Sequence, residues 1–128
     1  MKKSGILHPQ LLSLLARTGH TDYFTVCDRG FPVPAHVERI DLALVDDVPT
    51  VLDVLRAVER EFSVDRIIVS DEMRMVSPGR YEVIRREFPS MNIESVPHLE
   101  LKRLAAQGKA VVRTGDTCPY ANLIIVSG

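Results

Sequence analysis

The side chains best suited to acid–base chemistry are concentrated in residues 19–34, where a histidine and two aspartates flank a short apolar run ahead of a Gly/Pro turn. His20 directly follows a predicted helix, and the dipole at a helix C-terminus favours the imidazolium form by about 0.3–1 kcal/mol. A histidine that is partly protonated near neutral pH is a good proton donor. We therefore expect His20 and Asp28 to lie on either side of one buried strand and to face a small polar ligand. The alternative for His20 is a helix cap that bonds the last carbonyl groups.

Asp28 ends the apolar run and directly precedes the turn. A carboxylate in this position often caps the turn itself, which is the structural interpretation. In the functional interpretation, Asp28 orients His20 or accepts a hydrogen bond from a sugar hydroxyl. The residues around Asp28 favour neither interpretation over the other.

The C-terminal third of the chain offers further hydrogen-bonding groups. His98 and Lys102 are four residues apart, so they share one face of a short predicted helix, as two side chains of a solvated face also would. Tyr120-Ala121-Asn122 enters the last predicted strand, and a phenol beside an amide can bind hydroxyl groups. The alternative for Asn122 is a hydrogen bond to the backbone of the preceding turn.

Other polar residues are expected to be structural. Asp41, Asp71 and Glu72 lie near strands, but most exposed acids do no chemistry. The two cysteines, Cys27 and Cys118, belong to no Cys-x-x-Cys pair, and the four histidines are spread along the chain. The sequence therefore predicts two free thiols, no metal site and no cofactor, and it contains no phosphate-binding or nucleophile-elbow motif.

These residues are positioned by segments whose hydrophobic period alternates between that of a helix and that of a strand. The predicted helices are 9–18, 51–62, 78–88 and 97–106, and the predicted strands are 23–27, 39–45, 65–70, 91–96, 109–113 and 123–126. This alternation predicts an α/β fold with three αβα layers and a largely parallel central sheet. Ligands bind such sheets beyond the carboxyl ends of the strands, where Asp28 and Asp71 are placed.

Composition narrows the class of protein. A chain of 128 residues with 45% hydrophobic residues is predicted to form a single domain over residues 1–128. The formal net charge of −1, with both signs mixed, argues against a nucleic-acid partner. Neither a signal peptide nor a membrane-spanning segment is recognisable, so we expect no membrane insertion and a cytoplasmic location.

Several motifs that follow one another along the whole chain are typical of one family. They are Gly-His-Thr-Asp at 19–22, Cys-Asp-x-Gly-x-Pro-x-Pro at 27–34, Arg-Ile-Asp-Leu-Ala-Leu at 39–44, Val-Pro at 48–49, His98, Lys102 and Arg-x-Gly-Asp-x-x-Pro-Tyr-Ala-Asn at 113–122. On these residues the chain resembles the D-ribose pyranase family, within the superfamily of ribose pyranases and fucose mutarotases. One departure is Arg29, which stands where small residues are usual and flanks Asp28 with a bulky cation.

The resemblance implies an isomerase that interconverts the pyranose and furanose forms of D-ribose and so supplies the furanose for ribokinase. It implies that His20 is the proton donor and that Asp28, His98 and the segment from Tyr120 through Ala121 to Asn122 bind the sugar, with Lys102 also lining the pocket. It further implies pentameric rings that stack into decamers, with sites at subunit contacts and with no cofactor or metal.

Two other functions fit the same residues. One is a non-catalytic sugar-binding module tied to ribose transport, and the other is a mutarotase for another sugar such as L-fucose. The fucose mutarotases resemble this chain in the Gly-His element but favour a Tyr-Gly-Asn turn, whereas this chain has Tyr-Ala-Asn at 120–122 and Pro-Val-Pro at 32–34. These motifs therefore favour ribose over fucose as the expected substrate.

Overall fold

A computed structural model describes residues 1–128 and contains five helices and six strands in near alternation. The helices are α1 (Pro9–Arg17), α2 (Val51–Glu59), α3 (Asp71–Val76), α4 (Pro78–Glu87) and α5 (His98–Ala105). The strands are β1 (Tyr23–Cys27), β2 (Arg39–Asp41), β3 (Val64–Ser70), β4 (Ile93–Val96), β5 (Val111–Arg113) and β6 (Leu123–Ser127). None of the helices has the length and apolar character that crossing a membrane requires.

The strands form one six-stranded sheet in the order β2-β5-β1-β6-β3-β4. Three of the pairings, β2 with β5, β5 with β1, and β3 with β4, are parallel. Strand β6 runs antiparallel to both of its neighbours, β1 and β3. As a result, the carboxyl ends of β1 to β5 share one edge of the sheet with the amino end of β6. We call this edge the carboxyl edge.

Alternating side chains of the buried strands pack against helices on both faces of the sheet. Phe24 and Val26 of β1 face the larger core, which the apolar stripes of the first four helices complete. Cys27 of the same strand faces the smaller core, where Leu101 and Ala105 of α5 pack. The sheet therefore lies between two helical layers, which confirms the predicted α/β fold and its three-layer architecture.

Local capping sets where the helices begin and end. Pro9 occupies the first turn of α1, and the imidazole of His8 accepts a hydrogen bond from the Leu11 N–H. At the other end, the hydroxyl of Thr18 donates to the carbonyl of Leu14, 2.6 Å away. Helix α2 begins at a reciprocal capping box, in which the side chains of Thr50 and Asp53 each accept from the other's backbone N–H.

The structure differs most from the predicted elements at two places. Asp71 and Glu72, which were predicted to follow the strand 65–70 outside any helix, form the first turn of α3, because the Ser70 hydroxyl accepts from the Met73 N–H and caps a helix there. Strand β2 ends at Asp41 rather than at residue 45. The following segment folds back on itself in a hairpin, residues 42–49, where the Leu44 N–H donates to the Val48 carbonyl.

Candidate functional site

Four of the residues predicted to bind a ligand meet at the carboxyl edge of the sheet. Asp28 follows β1, His98 begins the helix after β4, and Tyr120 and Asn122 lie just before β6. They surround an open cavity of about 300 Å³. The cavity is lined by Asp28, Gly30, Phe31, Pro32, His98, Pro119, Tyr120 and Asn122.

A hydrogen bond between two of these residues joins distant parts of the chain. The Asp28 N–H donates to the Oδ1 atom of Asn122 at 2.8 Å. The Asp28 carboxylate accepts from the Gly30 N–H at 2.9 Å. Asp28 therefore caps its turn and also lines the cavity, so its two interpretations are compatible. The alternative for Asn122 was a hydrogen bond to the backbone of the preceding turn. The structure instead shows its side chain bonded to the backbone of Asp28, at the start of the loop after β1.

His98 lies between two aromatic rings. Its imidazole meets Tyr120 edge-to-face at a centroid distance of 5.1 Å and Phe31 at 6.3 Å. Its backbone N–H donates to both carboxylate oxygens of Glu72, at 3.1 and 3.2 Å, which fixes the first residue of α5. The imidazole itself makes no hydrogen bond within the chain, and its Nδ1 atom is enclosed without a partner. The His98 ring is thus held in place by its neighbours, while neither of its nitrogen atoms is taken up by a hydrogen bond within the chain.

Burial in the cavity disfavours the charged forms of His98 and Asp28. Burial lowers the pKa of His98, and the nearby Lys102 ammonium lowers it further, against the opposing charges of Glu72 and Asp28. Burial also raises the pKa of Asp28, although the hydrogen bond from Gly30 opposes that change. A neutral imidazole can accept one hydrogen bond and donate another. Together with a carboxylate, an amide and a phenol, it suits a ligand rich in hydroxyl groups.

Of the predicted residues near this edge, Ala121 and Lys102 contribute less directly than Tyr120. Tyr120 adopts a left-handed backbone conformation, with φ of 56°, and this turns its ring toward His98. The methyl group of Ala121 packs in the larger core, so only its backbone is placed near the cavity. Lys102 lies one turn after His98 and forms no ion pair, but it is not among the residues that line the cavity. Its role in binding stays a prediction.

His20 lies at the other edge of the sheet. It precedes β1, whereas Asp28 follows that strand, and the five strand residues between them, at about 3.3 Å each, span about 17 Å. The neighbouring Thr21 N–H donates to the carbonyl of Ser127 at the end of β6. The structure therefore does not bring His20 and Asp28 to one ligand within a single chain, because a straight strand sends its two flanking residues to opposite edges.

The helix-cap alternative for His20 is wrong. The last turn of α1 is capped by Thr18, whose N–H bonds the Leu15 carbonyl and whose hydroxyl bonds that of Leu14. His20 lies on an exposed turn and makes no hydrogen bond within the chain. Its imidazole is free to act on a group that approaches from outside.

Sequence reasoning missed residues that shape the cavity from behind. Phe31 was seen only as part of the Gly/Pro turn. Glu72 was expected to be structural or solvated, and its partner His98 was not foreseen, because the residues that Phe31 and Glu72 contact are distant in sequence. The Arg29 side chain is directed away from the cavity and pairs with Asp46 at 2.9 Å, with 57% of it exposed. The bulky cation at this position therefore leaves the cavity open.

Other features of the molecule do not compete with this site. No group of three or more His, Cys, Asp or Glu side chains is arranged to hold a metal ion. Larger surface clefts, of about 390 and 640 Å³, lie around residues 88–91 beside the amino end of β4. Neither contains a residue that the sequence predicted for the site.

The model of the RbsD / FucU transport protein family matches residues 1–128. The chain belongs to this family. Among RbsD / FucU relatives, the D-ribose pyranase of Geobacillus kaustophilus is 44% identical over 128 residues, which cover 100% of this chain and 94% of that protein. The D-ribose pyranase of Geobacillus thermodenitrificans is 45% identical and is covered to 97%. The resemblance to ribose pyranases is thereby confirmed.

Solved structures of the RbsD / FucU family agree with this fold. Bacillus subtilis RbsD complexed with D-ribose is 38% identical, with a TM-score of 0.94 and with 100% of this chain and 98% of that chain covered. The fucose mutarotase of Streptococcus pneumoniae in complex with L-fucose has a TM-score of 0.74 at 21% identity, with 94% and 91% covered. The second likeness shows the shared fold alone.

Proposed function

We propose that this chain is a D-ribose pyranase, an isomerase that interconverts the pyranose and furanose forms of D-ribose. The observation that carries the proposal is the cavity in which Asp28, His98, Tyr120 and Asn122 converge. This cavity belongs to a chain that matches, over its full length, the fold of an RbsD complexed with D-ribose. The furanose feeds ribokinase, and because that kinase consumes ATP we place the reaction in the cytoplasm.

The reaction requires acid–base catalysis but no cofactor. Ring opening needs a proton on the ring oxygen and the removal of one from the anomeric hydroxyl. The acyclic aldehyde then rotates, and a different hydroxyl closes the new ring. His20 donates the first proton, and a water held by Asp28 takes the proton from the anomeric hydroxyl, while Asn122 holds a hydroxyl group of the sugar. One such catalytic group contributes about 10²–10⁴-fold, which suffices for a reaction that already proceeds in water.

We further propose that His20 reaches the sugar from a neighbouring copy of the chain. The separation of His20 from the cavity within one chain supports this arrangement, as do its exposure and its lack of hydrogen bonds. The hairpin of residues 42–49 also exposes apolar side chains beside the cavity loops, with Leu44 77% and Val45 61% exposed. The active form is thus a homo-oligomer, and the family resemblance implies a pentameric ring or a decamer of two rings.

The activity is tested by exchange NMR on the anomeric protons of D-ribose. At concentrations at which the oligomer is assembled, adding the protein is expected to speed exchange between pyranose and furanose signals in proportion to its concentration. Saturable ribose binding without faster exchange would instead establish a sugar-binding module. Faster exchange for L-fucose but not for ribose would establish a mutarotase for another sugar.

The shared site is tested by mixing two inactive variants. His20→Ala lacks the donor but keeps its cavity, and His98→Ala keeps the donor but has a damaged cavity. If donor and cavity come from different copies, random co-assembly at equal amounts completes about one quarter of the sites. If both come from one chain, the mixture stays inactive, and the proposed arrangement is refuted.

A further inference from the structure

The most heavily bonded buried side chain near the cavity is Asp116, whose exposed fraction is 0%. Its carboxylate accepts from Arg80 at 2.6 and 3.2 Å. It also accepts from the N–H of Val51 at the start of α2 and from the N–H of Cys118, both at 2.9 Å. Burial alone would raise the pKa of Asp116, but these bonds outweigh it and hold that pKa below its usual value. The carboxylate is therefore ionised and fully engaged.

Asp116 contacts both loops that form the cavity. Its backbone carbonyl accepts from the Arg29 N–H at 3.1 Å, one residue after Asp28. Its carboxylate holds the Cys118 N–H, two residues before Tyr120. Asp116 does not itself line the cavity. Its hydrogen bonds to Arg29 and Cys118 nevertheless hold the two loops that form the walls of the cavity, the loop after β1 and the loop before β6.

Arg80 fixes this arrangement to a rigid element. Its guanidinium spans both oxygens of Asp116 from the first turn of α4, with only 16% of its side chain exposed. At the start of the same helix, the Ser77 hydroxyl donates to the Pro119 carbonyl at 2.7 Å. The loop that leads to Tyr120 is therefore attached to the start of α4 by two contacts, the Arg80–Asp116 ion pair and the Ser77–Pro119 hydrogen bond.

We propose that the Arg80–Asp116 ion pair is a positioning device for the sugar site, which sets the distance between Asp28 on one wall and Tyr120 and Asn122 on the other. This inference rests on the proposed function, because the sugar is the ligand that the two walls receive. Arg80 acts through Asp116 and touches no substrate, so it is a positioning residue. A planar guanidinium holds both carboxylate oxygens in a fixed geometry, which an ammonium cannot do.

A positioning role differs from a merely stabilising one in its kinetics. If part of a variant is irreversibly unfolded, fewer molecules are active, so the apparent kcat falls while KM stays unchanged. Reversible unfolding would also raise the apparent KM, and circular dichroism excludes it. A variant whose cavity walls are misplaced but whose fold is intact binds ribose less tightly, so KM rises. The dependence of the exchange rate on ribose concentration separates these two effects.

The experiment compares Arg80→Met and Arg80→Lys with the matched control Arg56→Met. Arg56 also forms a two-point pair with a carboxylate, that of Glu87, but on the surface of α2 and away from both cavity loops. For Arg80→Met we expect KM to rise about tenfold, since hydrogen bonds to charged groups are lost. Arg80→Lys should recover part of the change, and Arg56→Met should keep the wild-type KM. Circular dichroism verifies that each variant is folded at the assay temperature.

A wild-type KM in folded Arg80→Met would overturn the proposal. If Arg80→Met does not fold, the same criterion applies to Arg80→Lys and to Asp116→Asn, which keeps the shape of the side chain but not its charge. If the wild type does not speed ring exchange, the proposed function fails by itself. The positioning role is then judged by the ribose dissociation constant from NMR titration, which must rise in Arg80→Lys if the role is real.

Discussion

The backbone N–H of Asp28 donates to the side-chain oxygen of Asn122 at 2.8 Å, although the two residues are 94 positions apart in the chain. This bond joins the loop that leaves β1 to the segment that enters β6. The carboxylate and the amide therefore present their remaining polar atoms to one cavity in a fixed relation. A preformed pair of this kind spares a bound sugar the cost of ordering either loop.

Replacing His20 should remove the activity and spare the fold. We expect His20→Gln to slow ring exchange by about 10²–10⁴-fold, because one acid–base group is lost. His20 makes no hydrogen bond within the chain, so the melting temperature should not change. The control is His36→Gln at another exposed histidine, which lines no cavity and should retain activity. Wild-type exchange rates in His20→Gln would exclude His20 from the mechanism.

Asp28→Asn should make the protein inactive but more stable at neutral pH. Burial raises the pKa of Asp28, so the folded state disfavours the ionised form more than the unfolded state does. The resulting destabilisation of the wild type is full above the folded-state pKa and vanishes below the unfolded-state pKa. Thermal unfolding should therefore show a higher melting temperature for Asp28→Asn at pH 7 and no difference in strong acid. The exposed Glu82→Gln serves as control, and equal melting temperatures at pH 7 would contradict the prediction.

Two glycines should respond in opposite ways to alanine. A Cβ atom on Gly115 would lie 2.2 Å from the Val45 carbonyl oxygen, so the hairpin of residues 42–49 must move. We expect Gly115→Ala to lower the free energy of unfolding by about 1–3 kcal/mol, the usual cost of overpacking. Gly79 in α4 has open space around it, and Gly79→Ala should raise the same quantity by about 0.5 kcal/mol. Urea denaturation measures both, and equal effects would refute the steric argument.

The two thiols should differ in reactivity. Burial raises the pKa of Cys27 to about 12, and the charge of Asp28 adds to that effect. Cys118 is only half-buried. A thiol reagent at pH 8 should therefore label one cysteine per native chain and two in denaturant, and Cys118→Ser should abolish the native reaction. Rapid labelling of native Cys118→Ser would show that Cys27 is accessible.

Much of the cavity could be predicted from the sequence because parallel strands end at a common edge. Asp28 follows a strand, and that position alone predicted that it lies near a ligand. Asp71 was placed at this edge by the same argument, but its carboxylate accepts a hydrogen bond from the Ser95 hydroxyl and it does not line the cavity. Asn122 precedes a strand, and it reaches the same edge only because β6 runs antiparallel to its neighbours. Hydrophobic patterns report that a strand is buried but not which way it runs, so the sequence pattern did not place Asn122 beside Asp28.

His20 and Asp28 lie apart within one chain for a related physical reason. Closeness in sequence suggested closeness in space, but the intervening residues of β1 are extended and separate the two side chains. Likewise, the support that Glu72 and Arg80 give to the site depends on partners 26 and 36 positions away. Composition and periodicity are local properties and carry no signal for such contacts.

The separation of His20 from the cavity also bears on how the rate of reaction scales with the amount of protein. In the proposed arrangement the catalytic unit is a contact between two chains, so an isolated chain is inert. At concentrations below the dissociation constant of that contact, the rate rises with the square of the chain concentration. In this arrangement, newly synthesised chains have no activity until they assemble. Dilution then removes the activity by dissociating the chains, without unfolding them.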